Sequence, residues 1–398
     1  MKLILKLLAG IIIGILIGLF APDFIIRLLI TFKVLFGSFI TFIIPFIILF
    51  FIASGVAGLG KSSGKLVGST VSISFVSTIL AGVLAFLVAV NVIPLLSATN
   101  QELVSGSALL PYLELEIAPL MGVMTALMMA FVFGIGVTKV KGQWLKNIFD
   151  EGKNIVELVI AKIIIPLLPF YIAGIFAEMG SEGTVFTTLQ VFGVVLLMVI
   201  ILHWVWLMIQ YTIAGIMTKQ NPFTILKKML PAYFTALGTM SSVATIPVTL
   251  RSIKQTKVRE SIANFGIPLG ASIHLSGSMI TITLCATAVM MMLPGLAIPS
   301  FIEMIPVIIM LGLVMVAAPG VPGGAVMAAL GVLTSMLGFT EAAIGLMIAL
   351  YMAQDSFGTA ANVTGDGAVI TLVDKFAKED IGQEVEEVEL NEVAATKE

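Results

Sequence analysis

The sequence predicts an all-α polytopic membrane protein whose second half contains broken helices. Three observations carry this. Of 398 residues, 59% are hydrophobic and 11% charged, and mean hydropathy is +1.13, a balance that soluble domains do not have. Apolar runs near or above the roughly 20 residues needed to cross a bilayer recur along the chain. In the second half, two tips interrupt the apolar runs: GTMSSVATIP (Gly238–Pro247) and APGVPGGA (Ala318–Ala325). Non-helical backbone at membrane depth must be buried in protein or line a wet cavity.

The first 23 residues, MKLILKLLAGIIIGILIGLFAPD, share the basic start and apolar centre of a secretory signal. Their long apolar run and the spans that follow at once predict a retained first helix. Uniform apolar runs are expected at Ile4–Phe20, Ile25–Leu59, Lys65–Val92, Ala108–Val137, Ile155–Met179 and Leu189–Met217. Pro45, Pro166 and Pro169 are expected kink points. Met229–Leu250, Ile262–Leu293, Ile302–Leu337 and Ala342–Phe376 read as interrupted segments. Two broken segments, each followed by a full span, form the repeat that points to a midplane transporter site.

The Lys/Arg bias sets an expected orientation. With the N-terminus inside, Lys2, Lys6, Lys61, Lys65, Lys139, Lys141, Lys146, Lys153, Lys219, Lys227 and Lys228 are cytoplasmic. Arg251, Lys254, Lys257 and Arg259 join them only if the first broken segment re-enters from inside. The other face is acidic: Glu102, Glu114, Glu116, Glu178, Glu182, Glu303 and Glu341 stand against Arg27. The second broken segment is then re-entrant from outside. Small size and short loops suggest the cytoplasmic (inner) membrane, with both termini cytoplasmic. Residues 378–398 read as an acidic disordered tail.

Asp355, Thr359, Asn362 and Asp366 fall at i, i+4, i+7 and i+11 within an apolar segment of spanning length, hence on one helical face. A buried ionisable group costs roughly 2.5–3.5 kcal/mol even on lenient insertion scales. Two carboxylates on one stripe therefore suggest an interior site for an amine or a cation. The single cysteine, Cys285, forms no intrachain disulfide. No nucleophile–base pair, zinc motif or phosphate loop occurs, which argues against an enzyme or an ATP-driven pump. No cofactor and no nucleic-acid partner is expected.

The residues from Phe39–Gly60 (FITFIIPFIILFFIASGVAGLG) through Asp374 resemble the dicarboxylate/amino acid:cation symporter family, the glutamate transporter homologues. SSVATIPVTLR (Ser241–Arg251) looks like its first hairpin tip, and PLGASIHLSGS (Pro268–Ser278) like its unwound seventh helix. GVPGG (Gly320–Gly324) looks like the second tip, and Asp355–Asp366 matches the eighth helix. The resemblance implies eight transmembrane helices and two opposed re-entrant hairpins. It implies a scaffold of residues 1–60 (helices 1 and 2) and helices 4 and 5. A mobile transport part would take 61–100 (helix 3), the sixth helix within 101–217, 218–260 (hairpin 1), 261–298 (helix 7), 299–340 (hairpin 2) and 341–377 (helix 8). A homotrimer with elevator motion is implied as well.

Carried over by position, Asp355 is expected to hold the substrate ammonium. Asn362 and the Ser241–Ser242 tip are expected at the α-carboxylate, and Gly320 and Gly323 of the second tip are expected among the substrate-binding residues. Thr359 stands by the amine or side chain, and Ser278 by the side chain. Members that take acidic amino acids carry an Arg where this chain has Gly358, and prokaryotic homologues have one at Met240. A substrate carboxylate would thus lack its bidentate partner. The expected substrate is a small neutral amino acid such as serine or threonine, with Gly358 leaving room for a larger neutral one. Another amino acid or a dicarboxylate (cystine, a C4-dicarboxylate) is the alternative, and an anion channel on the same scaffold is a different class.

His274 and Ser276 replace an Asn and an Asp of the family's seventh helix, that Asp being a sodium ligand in archaeal homologues. Ile73 stands where a Thr ligand would be. One implied cation site keeps Gly270, His274 (through its carbonyl), Asn362 and Asp366. Another would form around Ser272, Met315, Val316 and Ala318. Fewer sodium ions than in aspartate transporters are expected, or a proton carried by His274. His203, in the HWVW run, reads as interfacial or packing.

Overall fold

The computed structural model describes residues 2–59, 65–96, 109–115, 117–140, 143–316, 318 and 320–377. Lys61, Glu102, Glu116, Lys141 and the tail 378–398 lie outside them, so the expectations placed there are not addressed. Among the described residues all regular structure is helical. The helices are α1 (Lys2–Phe20), α2 (Asp23–Leu59), α3 (Lys65–Leu96), α4 (Val123–Val140), α5 (Gln143–Val159), α6 (Ile165–Ser181), α7 (Val185–Thr218), α8 (Pro222–Thr239), α9 (Ser242–Ile253), α10 (Glu260–Ile273), α11 (Ser276–Met292), α12 (Phe301–Met315), α13 (Gly324–Leu337) and α14 (Glu341–Phe376). Six helical stretches among them are long and apolar enough to cross a membrane. Two pairs, α8/α9 and α12/α13, are helix–tip–helix units, and α10/α11 is one span broken in the middle.

Sequence explains the local choices. Asn221 caps α8, accepting from Phe223 N at 2.9 Å, and Pro222 takes the first helical position, where no N–H partner is lost. Ser300 and Glu303 form a reciprocal capping box at the start of α12. A π turn, Ile160–Ile164, joins α5 to α6. Pro166 lacks the N–H that would reach the Lys162 carbonyl, and the wider turn absorbs that loss. The chain therefore stays helical from Gln143 to Ser181, further than the apolar run starting at Ile155. The apolar run Ala108–Val137 is helical only from Val123. Pro111, Pro119 and Gly122 break the stretch before it.

Breaks in the second half are shorter than composition suggests. Only Met240 (φ +54°) and Ser241 separate α8 from α9, because the Ser241 hydroxyl accepts from Ala244 N at 3.2 Å and restarts the helix at once. Only His274 and Leu275 separate α10 from α11, although Pro268–Ser278 is expected to be unwound.

Helix α14 is the axis of the second half. It packs against α3, α7, α8, α10 and α11 and is buried along most of its length. In the first half, α1 lies on α6 through Gly10, Gly14 and Gly18. A Cβ at Gly14 would stand 2.4 Å from the Ala173 carbonyl oxygen, so only glycine allows this backbone approach. Gly14→Val should lower the melting temperature of the detergent-solubilised protein, by the equivalent of about 1–3 kcal/mol of overpacking. Gly68→Ala, whose added Cβ meets nothing within 4 Å, should leave it unchanged.

Candidate functional site

The polar stripe of α14 points inward as its spacing predicts: Asp355, Thr359, Asn362 and Asp366 are 4%, 6%, 1% and 1% exposed. The first three line a small cavity of about 30 Å³ with Met240, Ser242, Ser278, Gly320 and Tyr351. Ser272 and Ala318 also border it. Ser241 and Val316 instead border a second cavity, of about 750 Å³, on the other side of the hairpin tips. That cavity is walled by Ser54 of α2 and by Lys146, Asp150, Lys153 and Glu157 of α5. Its charges neutralise one another in part: Asp150 binds the Ser54 hydroxyl at 2.6 Å and Lys146 at 2.9 Å.

Two contacts close the tips over the small cavity. The Ser241 hydroxyl donates to the Gly320 carbonyl at 2.9 Å, joining the two hairpins. Gly323 N–H donates to Asp355 Oδ2 at 2.8 Å, tying the second hairpin to α14. Gly323 sits at φ +76°, and a Cβ there would stand 2.7 Å from Met352 Sδ. A side chain at this position would push the tip off the carboxylate. Among the described residues no Lys, Arg or His pairs with Asp355.

Asn362 holds the break in the seventh span together. Its Oδ1 accepts from Gly277 N at 2.7 Å and Ser278 N at 3.1 Å, and its Nδ2 donates to Ser278 Oγ at 2.8 Å. The first turn of α11 has no side-chain cap of its own, so α14 supplies one. One amide hydrogen of Asn362 remains for anything in the cavity.

Gly358 does not border the cavity. A Cβ there would meet Thr281 Oγ1 at 3.3 Å and Ser278 Cα at 3.6 Å. The expectation that Gly358 leaves room for a larger side chain is therefore corrected: α11 packs against this face of α14 and takes up the space.

The cation-site residues separate into two places. Gly270 lies under Asp366, whose Oδ1 would be 3.1 Å from an added Cβ there. That same oxygen accepts from His274 Nδ1 at 2.9 Å, both side chains being fully buried. With Nδ1 donating, the neutral tautomer leaves His274 Nε2 as an acceptor. It lies 3.0 Å from Ser77 Oγ of α3 and 3.3 Å from Gln210 Nε2 of α7. Gln210 also donates to Ser77 at 2.9 Å and reaches Ser276 Oγ at 3.5 Å. Four elements thus meet at one imidazole. Met315, Val316 and Ala318 cluster at the end of α12, where Ala318 N–H already binds the Met315 carbonyl at 3.0 Å.

His203 and three residues that sequence reading passed over belong to this region. His203 is buried rather than interfacial: it is 1% exposed, and it packs on α11 with its Nε2 2.9 Å from the Gly277 carbonyl and 3.2 Å from Thr281 Oγ1. Gln210 falls at i+7 from His203, so these two polar residues of α7 share one face, a signal visible beforehand. Ser77 belongs to the stripe Thr70, Ser74, Ser77 of α3. Tyr351 stands one turn before Asp355 and gave no signal beyond that spacing.

Residues 3–376 match the model of the sodium:dicarboxylate symporter family, and the chain belongs to it. It is similar to excitatory amino acid transporter 1 of Mus musculus, 29% identical over 257 residues covering 64% of this chain and 46% of that protein. Excitatory amino acid transporter 3 of Mus musculus is 29% identical over 268 residues, 66% of this chain and 50% of that one. Neutral amino acid transporter B(0) of Homo sapiens is 25% identical over 262 residues, 64% and 48%. The chain spans about half the length of these relatives.

Asn362→Ala should leave Gly277 N–H and Ser278 N–H buried without an acceptor, costing about 1–3 kcal/mol for each. Thermal unfolding in detergent would show a clear fall in midpoint. An unchanged midpoint would mean that the break is held by something other than this side chain.

Proposed function

We propose that the chain is a cation-coupled secondary symporter for a small neutral amino acid such as serine or threonine. One observation carries the reading: Asp355 faces a small cavity, and among the described residues no cationic side chain pairs with it. A buried carboxylate without a counter-charge is costly and is relieved by a bound ammonium group. The ammonium would bind the Asp355 oxygen that Gly323 does not use. The remaining Asn362 amide hydrogen, with the Ser242 tip, would take the α-carboxylate. The same positions argue against a dicarboxylate, whose second charge would meet Asp355 with no arginine at Gly358 or Met240. The family's own description and the excitatory amino acid transporters among the relatives favour that second reading.

On coupling, sodium is the expected ion for this family, and it favours hard oxygen donors. His274 holds the Asp366 oxygen that would otherwise face a cation, and Ser276 carries no charge. Both features support fewer sodium ions per cycle than an all-oxygen arrangement would bind. His274 as a proton carrier is the competing account. The hairpin tips would act as the gates between the two cavities, one re-entering from each side of a cytoplasmic membrane. A mobile transport part working within a homotrimer belongs to the same proposal.

Labelled serine uptake into proteoliposomes tests the reading, with an inward sodium gradient compared against an inward proton gradient. Asp355→Asn should reduce uptake at least a hundredfold, whereas retained uptake would remove the ammonium role. Competition by dicarboxylates alone would overturn the substrate class. Ser276→Asp should steepen the sodium dependence of transport, and an unaltered dependence would count against a lost ion site there.

A further inference from the structure

The peptide bond between Gly277 and Ser278 is held from two sides by two different helices. Its N–H, that of Ser278, donates to Asn362 Oδ1 of α14 at 3.1 Å. Its C=O, that of Gly277, lies 2.9 Å from His203 Nε2 of α7. A carbonyl only accepts, so Nε2 carries the ring proton and donates. The imidazole is 1% exposed and borders neither cavity. Its Nε2 also lies 3.2 Å from Thr281 Oγ1, whose hydroxyl donates to the same carbonyl at 3.1 Å.

This peptide in turn fixes the Asn362 side chain. Gly277 N–H donates to the same Oδ1 at 2.7 Å. Two backbone N–H groups admit only the oxygen end of the amide. The NH2 end then reaches Ser278 Oγ at 2.8 Å, with its second hydrogen left for the cavity that Asn362 lines. A peptide rotated away from Asn362 would let the amide turn over. The ligand would then meet an acceptor where an anion needs a donor. On the α14 side close packing opposes that rotation: a Cβ on Gly277 would stand 2.7 Å from Ala361 Cβ. On the α7 side the restraint is His203. A donor on the carbonyl also polarises the peptide and strengthens its N–H as a donor to Asn362.

Resting on the assignment of the substrate α-carboxylate to Asn362, we infer that His203 is a positioning residue: it fixes the Gly277–Ser278 peptide so that Asn362 offers its N–H, and not its oxygen, to the carboxylate. His203 itself touches no substrate. Its part is that of a neutral donor, so an amide of similar reach can replace it.

Initial rates of labelled L-serine uptake into proteoliposomes, over a range of serine concentrations, test this for wild type, His203→Leu and His203→Gln. His203→Leu removes the donor at similar volume. Its KM should rise about tenfold, with the maximal rate per folded protein held within about twofold. A side chain that merely fills space would leave KM in place. His203→Gln, whose Nε2 can reach the same carbonyl, should bring KM back to within about threefold of wild type. Hydrogen exchange on the substrate-free proteins supplies a second readout. The fragment containing Gly277 and Ser278 should exchange faster in His203→Leu than in wild type or His203→Gln. Should His203→Leu fail to fold, His203→Asn, too short to reach Gly277, takes its place with the same expected results. An unshifted KM in the donor-free variant would overturn this inference alone. So would unaltered exchange, or a His203→Gln protein as impaired as His203→Leu. Wild type that takes up no serine under either gradient would overturn the transport reading, and this inference with it.

Discussion

The structure depends on satisfying backbone groups at helix breaks placed at membrane depth. Every interrupted span exposes N–H and C=O groups that lipid cannot hydrogen-bond. The chain answers with side chains from other helices. Asn362 caps α11 from α14, Asp355 accepts from Gly323 at the second tip, and Ser241 ties the first tip to the Gly320 carbonyl. The residues that bind a ligand in the proposed reading are thus the same residues that hold the breaks closed. Substrate chemistry and gate geometry are coupled because they share atoms. A group that takes one oxygen of Asp355 acts on the carboxylate that holds Gly323, and so on the tip.

The imidazole of His274 shows the same economy. It sits at the break between α10 and α11 and joins α3, α7 and α14 through Ser77, Gln210 and Asp366. A bundle built this way resists independent motion of its helices and suits movement as a block.

Much of this was legible in the sequence, and the reasons differ by element. The membrane spans follow from length and hydropathy alone. The α14 stripe follows from helical period, since Asp355, Thr359, Asn362 and Asp366 share a face whatever surrounds them. Break positions were legible, but break lengths were not. Ser and Gly/Pro content marks where a helix can stop, whereas the cap that restarts it decides how soon it resumes. For α9 that cap is Ser241, local in sequence. For α11 it is Asn362, some 85 residues away in the chain, and no local pattern carries it. Gly358 failed for a related reason: deleting a side chain says nothing about which neighbour fills the gap, and here α11 does.

Two carboxylates on one stripe posed one question in the sequence, and the structure separates it into two. Asp366 is paired within the protein, through an imidazole held by two further helices. Asp355 accepts from one backbone N–H, lies beside the Tyr351 hydroxyl, and otherwise faces the cavity. Equal burial gives them unequal roles, because what distinguishes them is whether the fold supplies the counter-group. Asp366 is a fixed part of the helix assembly. In the proposed reading Asp355, beside the Tyr351 hydroxyl one turn away, finds its counter-charge only in something that comes from outside.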